Sequence, residues 1–156
     1  MTLKPNGIGL LILTASMLAA QASNMSGTWI LNVNKSNWGG KPAPQKVELT
    51  IEHNEPRLKY KGTVEDAKEV AKTFEFDGAI DGKEYPVKSD AGDQMAIVKR
   101  LSPNTISSTL KSAVGKAIEV TTTIVARDGK TLTRKIRYNS PEANRSWTEV
   151  YNRVQQ

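Results

Sequence analysis

Residues 46–52 read Lys-Val-Glu-Leu-Thr-Ile-Glu, polar and apolar in strict alternation, and the same period recurs along most of the chain. A period of two sends alternate side chains to opposite faces of a strand, so each such run needs one buried face and one solvated face. Residues 27–33 place Trp29, Leu31 and Val33 together, and Leu58, Tyr60 and Val64 mark a strand after the Asn54-Glu55-Pro56 turn. Phe74 and Phe76 alternate within 70–77, and Tyr85 and Val87 form a short piece in which Pro86 points to an edge or a bulge. Residues 95–101 end at Ser102-Pro103-Asn104, and Ile106, Ser108 and Leu110 continue the alternation. The stretch 117–126 is rich in Val, Ile and Thr, which suit a pleated surface. Arg127-Asp128-Gly129-Lys130 is a tight hairpin turn. Leu132, Arg134, Ile136 and Tyr138 follow on one face, and a last strand covers 146–154. No long stretch keeps a helical period. About nine or ten short strands joined by short loops predict an all-β fold: an antiparallel up-and-down β-barrel of about 8–10 strands, with a β-sandwich as the alternative.

The N-terminus breaks this pattern. Lys4 and the free amine give a positive start, an apolar run extends from Ile8 to Ala20, and Ala20-Gln21-Ala22 has the small-x-small form of a cleavage site. This is the layout of a secretory signal peptide, and the run is short for a membrane span. The expectation is a signal segment at 1–22, one domain at 23–156, no transmembrane anchor after cleavage, and a periplasmic or secreted location.

Composition narrows the chemistry. The 156 residues include no Cys and one His, which excludes disulfides, thiolate metal sites, Cys nucleophiles and any constellation of two His. The Gly-x-Ser-x-Gly elbow, the phosphate-binding Gly-rich loop and the paired-His metal motif are all missing from the sequence. The acids Asp77, Asp81, Glu84, Asp90 and Asp93 do not follow the spacing of a calcium loop. The expectation is a protein that is not an enzyme and carries no cofactor or metal. The formal net charge is +6, and the excess lies in the second half, most densely at Arg127, Lys130, Arg134, Lys135 and Arg137. A basic edge at 127–137 attracts an anionic surface or an acidic protein, or else it is a solvated face guarding a strand. Nucleic acid is a poor candidate for an exported chain without a recognisable binding module.

Both ends of the chain carry a resemblance. Gly27-Thr28-Trp29-Ile30-Leu31-Asn32 opens the first strand, followed by Lys35-Ser36 and Pro42-Ala43-Pro44. Asp81-Gly82-Lys83-Glu84-Tyr85-Pro86-Val87 forms a mid-chain turn and strand, and Trp147-Thr148-Glu149-Val150-Tyr151-Asn152-Arg153 closes the chain. This set resembles the calycins, the lipocalin and fatty-acid-binding barrels, and most of all small exported bacterial lipocalin-like proteins. The resemblance implies a barrel that holds a small molecule. Two departures stand out. Residues 34–45 are too short and too rich in Pro and Gly for a two-helix lid. Glu149-Val150-Tyr151 stands where fatty-acid-binding proteins carry Arg-x-Tyr, which puts a carboxylate where their fatty-acid head group sits unless Arg134 or Arg153 supplies the charge.

In a barrel, alternate residues point inward. The candidate ligand-binding residues are therefore Tyr60, Arg134, Tyr138, Trp147, Glu149 and Tyr151, with Phe74 and Phe76 on a face the sequence does not orient. These side chains either line a cavity for a small apolar or amphipathic molecule or simply fill the barrel. Trp29 is expected to plug one end under a stacked cation, with Arg153 the candidate. His53 is expected at a rim, and Trp38 is expected to fold its loop back onto the barrel.

Overall fold

The computed structural model describes residues 23–155 except positions 69, 91, 141 and 142, so the predicted signal segment at 1–22 lies outside the described residues. Ten strands follow one another: β1 (Gly27–Leu31), β2 (Lys46–Asn54), β3 (Arg57–Glu65), β4 (Ala71–Ala79) and β5 (Glu84–Ser89), then β6 (Gln94–Ser102), β7 (Thr105–Lys111), β8 (Ala117–Val125), β9 (Thr131–Ser140) and β10 (Ala143–Arg153). Each pairs antiparallel with its sequence neighbours, and β1 closes onto β10. The result is a closed up-and-down barrel rather than a sandwich. Closure gives the backbone groups of the terminal strands partners and removes edges that would recruit other chains. Among the described residues no helix is long and apolar enough to cross a membrane.

The alternation seen in the sequence becomes the inside–outside division of the wall. Val47, Leu49 and Ile51 of β2 are buried, while Thr50 and Glu52 on the opposite face are exposed. Val98, Ile106, Val125 and Leu132 extend the same core around the barrel. Each fully buried side chain of this size contributes about 1.5–3 kcal/mol of hydrophobic stabilisation. The 127–130 turn is built as its sequence requires. Gly129 has φ +69°, a left-handed conformation that side chains disfavour, and Asp128 accepts the Lys130 N–H at 2.9 Å. Pro86 pairs with Met95 on β6 but has no register partner on β4, where pairing stops at Phe76–Val87.

The strand β1 is short, and its continuation completes the wall. After a 3-10 turn at Val33–Lys35 the chain runs beside β10, with the Asn37 and Thr148 N–H groups each donating to the other's carbonyl at 2.8 Å. The Ser36 hydroxyl accepts the Val150 N–H at 2.9 Å. Trp38 packs against the core cluster, so this loop folds back on the barrel.

One end of the barrel is sealed. Trp29 is fully buried and donates its indole N–H to the Met25 carbonyl at 2.9 Å. The Met25 N–H in turn donates to His53 Nδ1 at 3.2 Å, and the Met25 side chain is buried in the core. Trp29 and Arg153 are direct cross-strand partners, which brings the guanidinium to 4.3 Å from the indole centroid. Arg153 also donates to the carbonyls of Gly129 at 2.7 Å, Asn24 at 3.0 Å and Ser26, tying 23–26 to the 127–130 turn. His53 lies at this rim beside Glu55 and Arg100.

Candidate functional site

The opposite half of the barrel is open. A cavity of about 300 Å³ lies there, with Val64, Phe74, Val87, Leu110 and Trp147 among its apolar lining and Glu119, Arg134 and Glu149 among its polar lining. A volume near 300 Å³ is at the lower limit of small-molecule pockets. Beneath it is a void of only about 50 Å³ bounded by Met25, Leu49, Leu58, Val98 and Leu132, so the lower half is packed. Tyr60, Phe74, Ser108 and Arg134 line both spaces and form the floor of the upper one.

The aromatic wall comes from adjacent strands. Tyr60 of β3 stacks on Phe76 of β4 at 5.1 Å between centroids and meets Phe74 edge-on at 6.0 Å. Both phenylalanines therefore face inward. Gly62 is the register partner of Phe74, and a Cβ on Gly62 would stand 2.0 Å from the Phe74 ring. The missing side chain is what admits that ring to the interior. Burial raises the Tyr60 phenol to about 12, so it stays protonated and serves as a hydrogen-bonding group.

The polar cluster comes from the register of the last hairpin. Arg134 and Glu149 are direct cross-strand partners, and Trp147 and Tyr151 flank Glu149 on its own face of β10. Three donors converge on one carboxylate: Arg134 Nη1 at 3.0 Å and the Tyr151 hydroxyl at 2.7 Å on Oε2, and Trp147 Nε1 at 2.8 Å on Oε1. Burial opposes the charge on Arg134, but Glu149, Tyr151 and Glu119 outweigh it and hold the guanidinium above its ordinary value. Burial, with Glu149 beside it, likewise raises the Tyr151 hydroxyl. Glu119 on β8 accepts from the Thr121 hydroxyl at 2.9 Å and lines the same cavity.

At the mouth, Lys41 from the 34–45 loop places its ammonium 4.6 Å from the Trp147 ring centroid. Desolvation and the nearby Arg145 lower its pKa, with Glu119 acting in the opposite direction. Asp90, also at the mouth, is held by the Thr73 N–H at 2.6 Å.

The six candidate residues therefore divide. Tyr60, Arg134, Trp147 and Glu149 line the cavity. Tyr151 is fully buried behind it, where it holds Glu149. Tyr138 shares the inward face but sits farther along β9, opposite Arg145 and Glu119, and does not line the cavity. Sequence reasoning missed Glu119 and Lys41. The alternation of β8 carried a signal for the first, since Glu119, Thr121, Thr123 and Val125 share a face. The second depends on the path of a loop.

No protein-family model and no curated protein matches the chain. Among solved structures it is similar to zebrafish ileal bile acid-binding protein complexed with cholic acid. That match has 14% sequence identity, covers 83% of this chain and 98% of that one, and has a TM-score of 0.56. It is also similar to Rv2717c of Mycobacterium tuberculosis, with 14% identity, 84% and 93% coverage and a TM-score of 0.49. The closed ten-stranded meander and the first of these likenesses define a calycin-like barrel, the fold implied by the two ends of the sequence.

Proposed function

We propose that this chain is an exported binding protein that holds one small apolar or amphipathic molecule in the open half of its barrel. The observation that carries the reading is the asymmetry of the interior. One end is sealed by Met25, Trp29 and Arg153, and the other keeps about 300 Å³ between an aromatic wall and a polar cluster. An apolar surface with a few fixed polar groups is the usual composition of a small-molecule site. A barrel of the same fold in zebrafish was crystallised with cholic acid, which supports small-molecule binding by a barrel of this kind. Export rests on the layout of residues 1–22. The reading assigns the barrel no catalytic step.

Native mass spectrometry of protein purified from its own host tests this. The expected result is a bound species released on mild activation, or one-to-one uptake of the neutral dye Nile red. A barrel that carries nothing and takes up no dye overturns the reading.

A second reading draws on the surface. Arg127, Lys130, Lys135 and Arg137 are exposed on the β8–β9 turn and β9, and none of the four forms an ion pair among the described residues. This basic edge fits an anionic surface or an acidic protein. Lys135→Glu with Arg137→Glu is expected to abolish retention on anionic vesicles and leave thermal unfolding unchanged. Unchanged retention removes this reading.

A further inference from the structure

Resting on the cavity reading above, we infer that the ligand is an uncharged amphiphile, its head group a hydroxyl or amide that both donates and accepts, and that free carboxylates are rejected. Several polar atoms of the cavity are already engaged by the protein's own donors. Both oxygens of Glu149 are occupied by Arg134, Tyr151 and Trp147. Asp90 accepts from the N–H and hydroxyl of Thr73 through Oδ2 alone, which leaves Oδ1 as a further acidic acceptor at the cavity. What the interior offers a ligand therefore includes the Tyr60 and Ser108 hydroxyls, the part of the Arg134 guanidinium that does not serve Glu149, and the Glu119 oxygen that Thr121 does not use, while Gln94 and the exposed Lys72 also line the cavity.

Arg134 supplies N–H donors without net positive charge, because Glu149 stands across from it on the neighbouring strand. Glu119 supplies an acceptor that carries negative charge. A hydroxyl or amide can accept from the first and donate to the second. A carboxylate can accept from Arg134, Tyr60 or Ser108, but it has no proton for Glu119 and stands beside two acidic side chains, Glu119 and Glu149, in a partly enclosed cavity whose Lys72 is exposed to solvent. Like charges in such a space repel strongly, and desolvating the head group adds to the cost. Selectivity here comes from that repulsion as much as from attraction.

The test is competition for bound Nile red at neutral pH by dodecanol, dodecanamide and dodecanoate, which share a chain and differ in the head. Dodecanol and dodecanamide are expected to displace the dye at concentrations about tenfold or more below dodecanoate. In Glu149→Gln, which keeps the side-chain shape and leaves Arg134 without its counter-charge, the dodecanoate penalty is expected to shrink or reverse. If that variant does not fold, Glu119→Gln provides the second reading, with a smaller shift in the same direction. Dodecanoate competing as well as dodecanol in the unaltered protein overturns the head-group inference while the cavity stands. Absence of dye uptake overturns the cavity itself.

Discussion

Replacing Glu149 by Leu removes the one acceptor on which three donors converge, and its cost can be worked from the structure. The Glu149 side chain is 12% exposed and that of Arg134 22%, so the pair is largely withdrawn from solvent. Removing one partner of a buried pair costs about 3–5 kcal/mol, because the remaining charge stays behind without compensation. Arg134 faces a cavity open at one end, which places its share near the lower limit, about 3 kcal/mol. The buried Tyr151 hydroxyl also loses its acceptor, adding about 1 kcal/mol. The total for Glu149→Leu is about 4 kcal/mol. Arg134→Met leaves Glu149 with two donors and costs about 2 kcal/mol. The double variant replaces the pair by apolar groups of similar volume and is expected to cost less than the two single losses together. Urea unfolding followed by tryptophan fluorescence measures all three. With a slope of about 1–3 kcal/mol per molar urea, the midpoint of Glu149→Leu falls by roughly 2 M at an unchanged slope. A loss below about 1 kcal/mol for Glu149→Leu, or strict additivity in the double variant, refutes the coupled cluster.

Arg153→Met is expected to cost about 2–3 kcal/mol, because three carbonyls and the Trp29 ring lose their cation; Arg153→Lys recovers less than half in thermal unfolding, since one ammonium does not reproduce the fork. Gly62→Ala drives a methyl into the Phe74 ring and is expected to destabilise by about 1–3 kcal/mol and weaken Nile red binding, both read by titration and melting. Burial opposes the charge on Glu55, but hydrogen bonds from Arg100 and His53 outweigh it and lower its pKa below 4.5. A group with a depressed folded-state pKa stabilises above its unfolded value and loses that contribution as pH falls through the folded value. The stability gap between the unaltered protein and Glu55→Gln is therefore expected to be largest above pH 4.5 and to close on acidification, with solvent at this half-exposed site keeping it at about 1 kcal/mol or less. A gap that widens at low pH contradicts the assignment.

The strands were legible because a period of two needs no long-range information: Val47, Leu49 and Ile51 reveal their buried face by themselves. The stacking of Arg153 on Trp29 was legible for a related reason, since the first and last strands of a closed meander must be neighbours. The direction of Phe74 and Phe76 was not, because adjacent strands fix it and Gly62 makes the space. Of the inward set expected on β9 and β10, Leu132, Ile136, Glu149 and Tyr151 are buried. Its pairing was hidden, because register across a hairpin depends on where the turn ends, and one slip would have separated Arg134 from Glu149. For the same reason Tyr138 shared the face of the site residues yet lay beyond the cavity. Lys41 was beyond sequence reasoning, since no periodicity governs the loop that carries it to Trp147.

The central claim is that one half of the barrel is a binding cavity and the other half a sealed core. Backbone amide chemical shifts recorded during titration with dodecanol test it directly. Shifts are expected at amides around the open half, such as those of Val64, Thr73, Ser108 and Ile136, with those of Met25, Trp29 and Arg153 unmoved. Shifts confined to the outer surface, or spread equally over both ends, would contradict it.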